Sequence, residues 1–64
     1  MSQEDQIREW LEAGNAITPL GALRMFGCMR LSARIYDLRR TGMEISATTV
    51  KSSNGKHYAS YKKL

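Results

Sequence analysis

The side chains able to carry covalent or metal chemistry are few in this sequence. It holds one histidine, His57, and one cysteine, Cys28. A tetrahedral metal site needs four ligands, and a Cys–His nucleophile pair needs a further group to orient the base. Neither set can be assembled, so no metal or other cofactor is expected. Asp5, Glu9 and Glu12 share a helical face, but nothing apolar surrounds them, and they read as a solvated face. Gly21 and Gly27 match neither a phosphate loop nor a dinucleotide fingerprint. With no converging nucleophile, base and orienting group, neither an enzyme nor a small-molecule substrate is expected.

What the sequence holds in quantity is cations, and they are unevenly placed. Residues 1–20 carry Glu4, Asp5, Glu9 and Glu12 against Arg8, a net of −3. Residues 21–64 carry five arginines and four lysines against Asp37 and Glu44, a net of +7, giving the chain its +4. Blocks of one sign gathered on one face are the electrostatic footprint of a polyanion binder. The plain alternative is charge that serves solubility.

Sixty-four residues allow one domain, 1–64, which buries only about 60% of the surface its unfolded chain exposes. Its core must draw on nearly every large apolar residue, leaving little room for a deep cavity. A composition of 42% hydrophobic and 25% charged residues is that of a folded chain. Lone Cys28 excludes an intrachain disulfide and reads as a small turn residue, buried or half-buried. No apolar run approaches the ~20 residues of a membrane helix. Beginning Met1-Ser2-Gln3-Glu4-Asp5, the chain lacks a basic, then apolar leader and reads as a complete cytoplasmic protein.

Ser2 with Asp5 has capping-box spacing, and Ile7, Trp10, Leu11 and Gly14 recur at helical intervals, so residues 3–13 read as an amphipathic helix. Asn15-Ala16-Ile17 is long enough only for a bridging strand. Thr18-Pro19, a hydroxyl N-cap before proline at N1, starts a second helix to Phe26, with Leu20, Ala22, Leu23 and Phe26 expected toward the core. Gly21 inside it implies a close helix–helix or helix–backbone approach. Gly27 ends this helix and Gly42 the third, which covers Arg30–Thr41 with an apolar seam of Leu31, Ile35 and Leu38. Ala33, Tyr36, Asp37 and Arg40 point nearly opposite that seam. Arg39 and Arg40 in the last turn complement the helix dipole. Residues 43–50 and 57–61 then alternate as strands around Asn54-Gly55, which predicts a two-residue type I′ hairpin pairing Val50 with Ala59 and Thr48 with Tyr61. Ile45 and Val50 have opposite parity, which predicts a bulge near Ala47–Thr49.

Helix, short strand, helix, turn, helix and two-stranded hairpin together resemble the winged helix-turn-helix family, an α+β fold, over the whole chain. Ile17-Thr18-Pro19, Ala22-Leu23, Phe26-Gly27, the run Arg30 to Arg39 and Gly42 are similar to the small winged-helix proteins of bacteriophages and prophages. Gly27 precedes Ile35 by eight residues, where the simple helix-turn-helix has six, so the turn is longer and its docking geometry does not transfer. The resemblance implies a double-stranded DNA-binding protein, a phage or prophage transcriptional regulator or an accessory factor, in the cytoplasm of a bacterial or infected cell. The third helix would be the recognition helix, with Arg30, Ser32, Ala33, Arg34, Tyr36 and Arg40 at the DNA. Guanidinium groups reach guanine edges or phosphates, and hydroxyls reach phosphates. The hairpin tip would be the wing, Lys51, Ser53, Asn54, Lys56 and His57, with Ser52, lying on the backbone or minor groove. Each set can instead be a solvated face: Arg34 lies near the seam with an acidic partner in reach, and Ser32 is placed to cap. A homodimer on palindromic DNA or a protein partner is also expected, with the outer side of the first helix or the Met25–Met29 region as the interface. The alternative function is a protein-interaction adaptor or inhibitor on the same scaffold.

Overall fold

A computed structural model describes residues 2–64; Met1, from which the sequence reading starts, lies outside the described residues. Helix α1 spans Gln3–Glu12, α2 Pro19–Phe26 and α3 Leu31–Arg40, followed by strands β1, Ile45–Lys51, and β2, His57–Lys63. The helix starts obey local chemistry. Ser2 Oγ accepts from the Asp5 amide at 3.2 Å, and Thr18 Oγ1 from the Gly21 amide at 3.1 Å. Asp5 does not complete the box; its carboxylate lies 3.7 Å from Arg8 instead.

Ile7 and Leu11 of α1, Ala22 of α2, Leu31, Ile35 and Leu38 of α3, and Ile17, Cys28 and Ile45 form one buried cluster. Trp10, Phe26, Met43 and Tyr61 pack on its rim. The Trp10 indole N–H donates to the Ala16 carbonyl at 2.8 Å, and its ring meets Phe26 edge-on at 6.2 Å. This satisfies the polar end of a half-buried aromatic while its body closes the core.

Helix α2 departs from the sequence expectation. Leu20 is 57% exposed and Leu23 46% exposed, so only Ala22 and Phe26 face inward. An apolar arc running from Ala22 through Phe26 and Leu23 to Leu20 is wider than the surface α1 and α3 present to an eight-residue helix. The expected reason for Gly21 is also corrected: no second helix approaches it. A Cβ there would stand 3.1 Å from Thr18 Oγ1, the hydroxyl that caps the helix.

Helix α3 has the predicted phase, but Arg30 is its N-cap and makes no side-chain cap bond, so Ser32 does not cap it. At its end the Met43 amide donates to Leu38 O and the Gly42 amide to Arg39 O, a Schellman motif. Gly42, at φ +103°, supplies the left-handed residue this motif needs, and the chain turns into β1.

Strands β1 and β2 pair antiparallel without a bulge, Ile45 with Lys63, Ala47 with Tyr61, Thr49 with Ala59 and Val50 with Tyr58. This register is one residue away from the expected one. A type I′ turn needs positive φ at Asn54, and among the described residues only glycines adopt it. Instead the Gly55 amide donates to Ser52 O and the Ser52 amide to Lys56 O, enclosing a three-residue loop with left-handed Gly55. Asn54 Oδ1 accepts from the Lys56 amide at 3.2 Å and from the Ser52 hydroxyl, which holds the tip. The bulge is unnecessary because only the start of β1 reaches the core: Ile45 is buried, whereas Val50 sits half-buried on the other face. Ile17 pairs with Tyr61 through two 2.8 Å bonds, so the lead-in to α2 forms the expected bridge at the edge of β2.

Candidate nucleic-acid interface

With Leu31, Ile35 and Leu38 turned into the core, the helical period presents the remaining positions of α3 to the surface. Arg30, Ser32, Tyr36 and Arg40 are exposed, and Ala33 and Arg34 are half-exposed. Tyr36, 61% exposed, carries the Arg40 guanidinium 5.8 Å from its ring centroid. That cation–π contact holds the two side chains together on the outward face. Arg34 pairs with Asp37 at 3.2 Å, three residues on, and its charge is compensated locally. The acidic partner foreseen in the sequence is therefore Asp37.

The two ends of α3 differ electrostatically. Arg30 and Arg34 border a shallow depression with Gln3 and the Gly27–Met29 turn, which contains no carboxylate. Arg40 shares its depression with Glu4, Asp37 and Thr41. The helix dipole adds to this contrast, since it places partial positive charge at the Arg30 end and negative charge at the Arg40 end.

The hairpin tip brings the second set together. Lys51 and His57 face each other across the strands, and Ser53, Asn54 and Lys56 are exposed beyond them. Asn54, Lys56 and His57, with Ser52 and Tyr58, also wall a groove of about 460 Å³ against Thr18, Pro19 and Leu20 at the start of α2. The α3 set and the hairpin set line different depressions of a body measuring 34 × 23 × 20 Å.

Two features escape the sequence reading. Arg39, expected to complement the dipole, donates from Nη2 to the Ile45 carbonyl at 2.7 Å and so ties α3 to β1. Nothing local marks this bond, because it depends on where the chain goes after Gly42. Leu20 and Leu23 form an exposed apolar side of α2, and Met29 in the turn is 87% exposed. Of these, only Met29, with Met25, stood out in the sequence as an exposed contact. Among the described residues no cluster of His, Cys, Asp and Glu could hold a metal ion, and no helix is long and apolar enough to cross a membrane.

A family model described as a winged helix-turn-helix domain matches residues 2–62, and the chain belongs to that family. Its three helices and antiparallel hairpin are the elements of that α+β, DNA-binding fold. No curated protein and no solved structure matches the chain.

Proposed function

We propose that this winged helix-turn-helix protein is a single domain, 1–64, that binds double-stranded DNA with α3 in the major groove. The tip Ser52–His57 then lies on the backbone or minor groove, and the protein serves as a transcriptional regulator or accessory factor of a phage or prophage. The observation that carries this reading is the division of α3. Its apolar seam is buried without remainder, while Arg30, Ser32, Tyr36 and Arg40 stand in solvent on a family member's third helix. On this reading Arg30 and Arg40 reach base edges or phosphates, Ser32 and Tyr36 reach phosphates, Ala33 permits close approach, and Arg34 assists from beside Asp37. Lys51, Lys56, His57, Ser53 and Asn54 hold the backbone. One such module covers only about 600–1,000 Å², so two copies on a palindromic site, or one beside a protein partner, supply the remaining specificity. Its place of action is the cytoplasm of a bacterial or phage-infected cell, and we assign it no catalytic role.

A duplex titration across a salt series tests the proposal. Among the described residues, Arg30, Arg40, Lys51 and Lys56 have no carboxylate within ion-pair distance. If each neutralises one phosphate, the log–log salt slope is about −3.6. Lys56→Ala then weakens every sequence alike and reduces the slope by about one unit, whereas Arg30→Ala relaxes discrimination at one base position. Absence of duplex binding at low salt overturns the proposal. The function would then pass to a protein-interaction adaptor, which the exposed Leu20, Leu23 and Met29 favour.

A further inference from the structure

We infer that Arg39 is a positioning residue, which fixes the angle between the recognition helix and the wing rather than contacting DNA itself. The inference rests on the DNA-binding reading of α3 and the hairpin. Polar bonds tie the base of the wing to the helical body on the side of each strand. On the β2 side, Tyr61 exchanges two backbone bonds with Ile17, which secures the hairpin to the lead-in of α2. On the β1 side, the Arg39 guanidinium crosses the turn after α3 and donates to the carbonyl of Ile45, the first residue of the strand. At 2.7 Å this is a short, charge-assisted bond from a planar group at the end of a long stem. It is the side-chain bond that refers the hairpin directly to α3.

The leverage is considerable. Strand β1 has seven residues, so the tip stands about 20 Å from Ile45 at 3.3 Å per residue. A rotation of about 10° at the base therefore moves Lys56 by about 3–4 Å, more than the tolerance of a hydrogen bond to phosphate. Beyond Ile45 the β1 side chains leave the core: Ala47, Thr48, Thr49 and Lys51 are exposed. Core packing therefore holds the hairpin only near its base, at Ile45 and at Tyr61 opposite Ala47, and the direction of its outer half depends on what grips it there. Because the guanidinium is turned to the strand, Arg39 reads as a cation on the DNA-binding helix while acting on the geometry of its neighbour.

A double-mutant cycle separates this from direct contact. Affinity for a random duplex is measured by fluorescence anisotropy for the parent, Arg39→Met, the wing double variant Lys51→Gln/Lys56→Gln, and the combination. Positioning predicts that Arg39→Met weakens the parent about tenfold but the wing-neutralised protein less than about twofold, since the two charged wing contacts that would be misplaced are already gone. Equal losses in both backgrounds mean direct contact and overturn the inference, as does no loss in the parent. Arg39→Gln, neutral and too short to reach Ile45 O, repeats the cycle if the methionine variant does not fold. A second measurement needs no DNA: amide residual dipolar couplings of α3 and the hairpin fit one common orientation in the parent and two in Arg39→Met. Retention of a single orientation in the variant overturns the inference. Should the parent fail to bind duplex, the DNA-binding reading fails on that result while the couplings still decide the role of Arg39.

Discussion

Leu38→Ala tests the phase of α3, on which every assignment to its outer face depends. Leu38 is fully buried in a core cluster to which all three helices and β1 contribute. Removing its isobutyl branch loses about three methylene equivalents at roughly 0.8 kcal/mol each, near 2.4 kcal/mol. The cavity left behind raises the cost to about 3–4 kcal/mol. A 64-residue domain at 0.05–0.15 kcal/mol per residue has about 3–10 kcal/mol in all. With an unfolding entropy near 2.1 cal/mol/K per residue, a loss of 3 kcal/mol lowers Tm by about 20 °C. Leu23→Ala is the control. Both leucines look like core positions in the sequence, but Leu23 is 46% exposed and its truncation opens no enclosed cavity. Its cost is below about 1 kcal/mol, a fall in Tm of less than about 7 °C. Urea and thermal melts followed by circular dichroism read both. Equal losses for the two variants would refute the packing of α2, and a Leu38→Ala loss below about 1 kcal/mol would refute the phase of α3.

Two perturbations probe the tip and the face. Gly55→Ala places a side chain at φ +86° with open space around it, so conformational strain alone costs about 1 kcal/mol, and the Lys56 amide exchanges with solvent roughly fivefold faster; unchanged exchange refutes the left-handed loop. Asp37→Asn releases Arg34 and removes a carboxylate from α3, so duplex affinity rises several-fold and the salt slope steepens by about 0.9. Stability meanwhile moves by less than about 0.5 kcal/mol, as befits a half-exposed pair; weaker duplex binding refutes the placement of Arg34 at the DNA.

The features legible in the sequence are those decided within a few residues. Ser2, Thr18-Pro19 and Gly42 mark helix ends because caps satisfy backbone groups no farther than one turn away. The seam Leu31–Ile35–Leu38 is legible because it is narrow, leaving one orientation that buries it. The α2 arc is too wide to choose between Phe26 and Leu20, since periodicity gives direction but not the area that neighbours cover. The hairpin register fails for a related reason. A slip of one residue is penalised only where a face is buried, and most of the wing lies beyond the core. Asn54 then decides the matter with its side chain, which accepts from the Lys56 amide while its own backbone stays out of the positive-φ region. At the site, the exposed cations follow from the helix phase and the Arg34–Asp37 pair from spacing. The Arg39 bond to Ile45 O requires knowing the path of β1.

On the proposed DNA-binding reading, the distribution of charge along α3 favours its first half as the part nearest the groove floor and leaves Arg40 to the phosphates at the rim. Formal charge favours the C-terminal end, where Arg39 and Arg40 are adjacent. In the fold, however, Arg39 is turned to Ile45 O, Arg40 leans over Tyr36, and Glu4 and Asp37 stand beside it. The dipole adds partial negative charge there, so a phosphate meets repulsion as well as attraction. At the other end, Arg30 occupies the N-cap without capping, which leaves first-turn amides for an anion or a water. Arg30, Ser32 and the carboxylate-free depression shared with Arg34 then act in the same sense as the dipole. Arg34, half compensated by Asp37, keeps donors free to turn outward once a phosphate offers a stronger partner. The cations of α3 and the wing are thus of four kinds in this fold: free at Arg30 and the wing, held in reserve at Arg34, stacked on Tyr36 beside two carboxylates at Arg40, and committed to architecture at Arg39. A count of arginines on the helix merges these kinds, and only the partners of each guanidinium separate them.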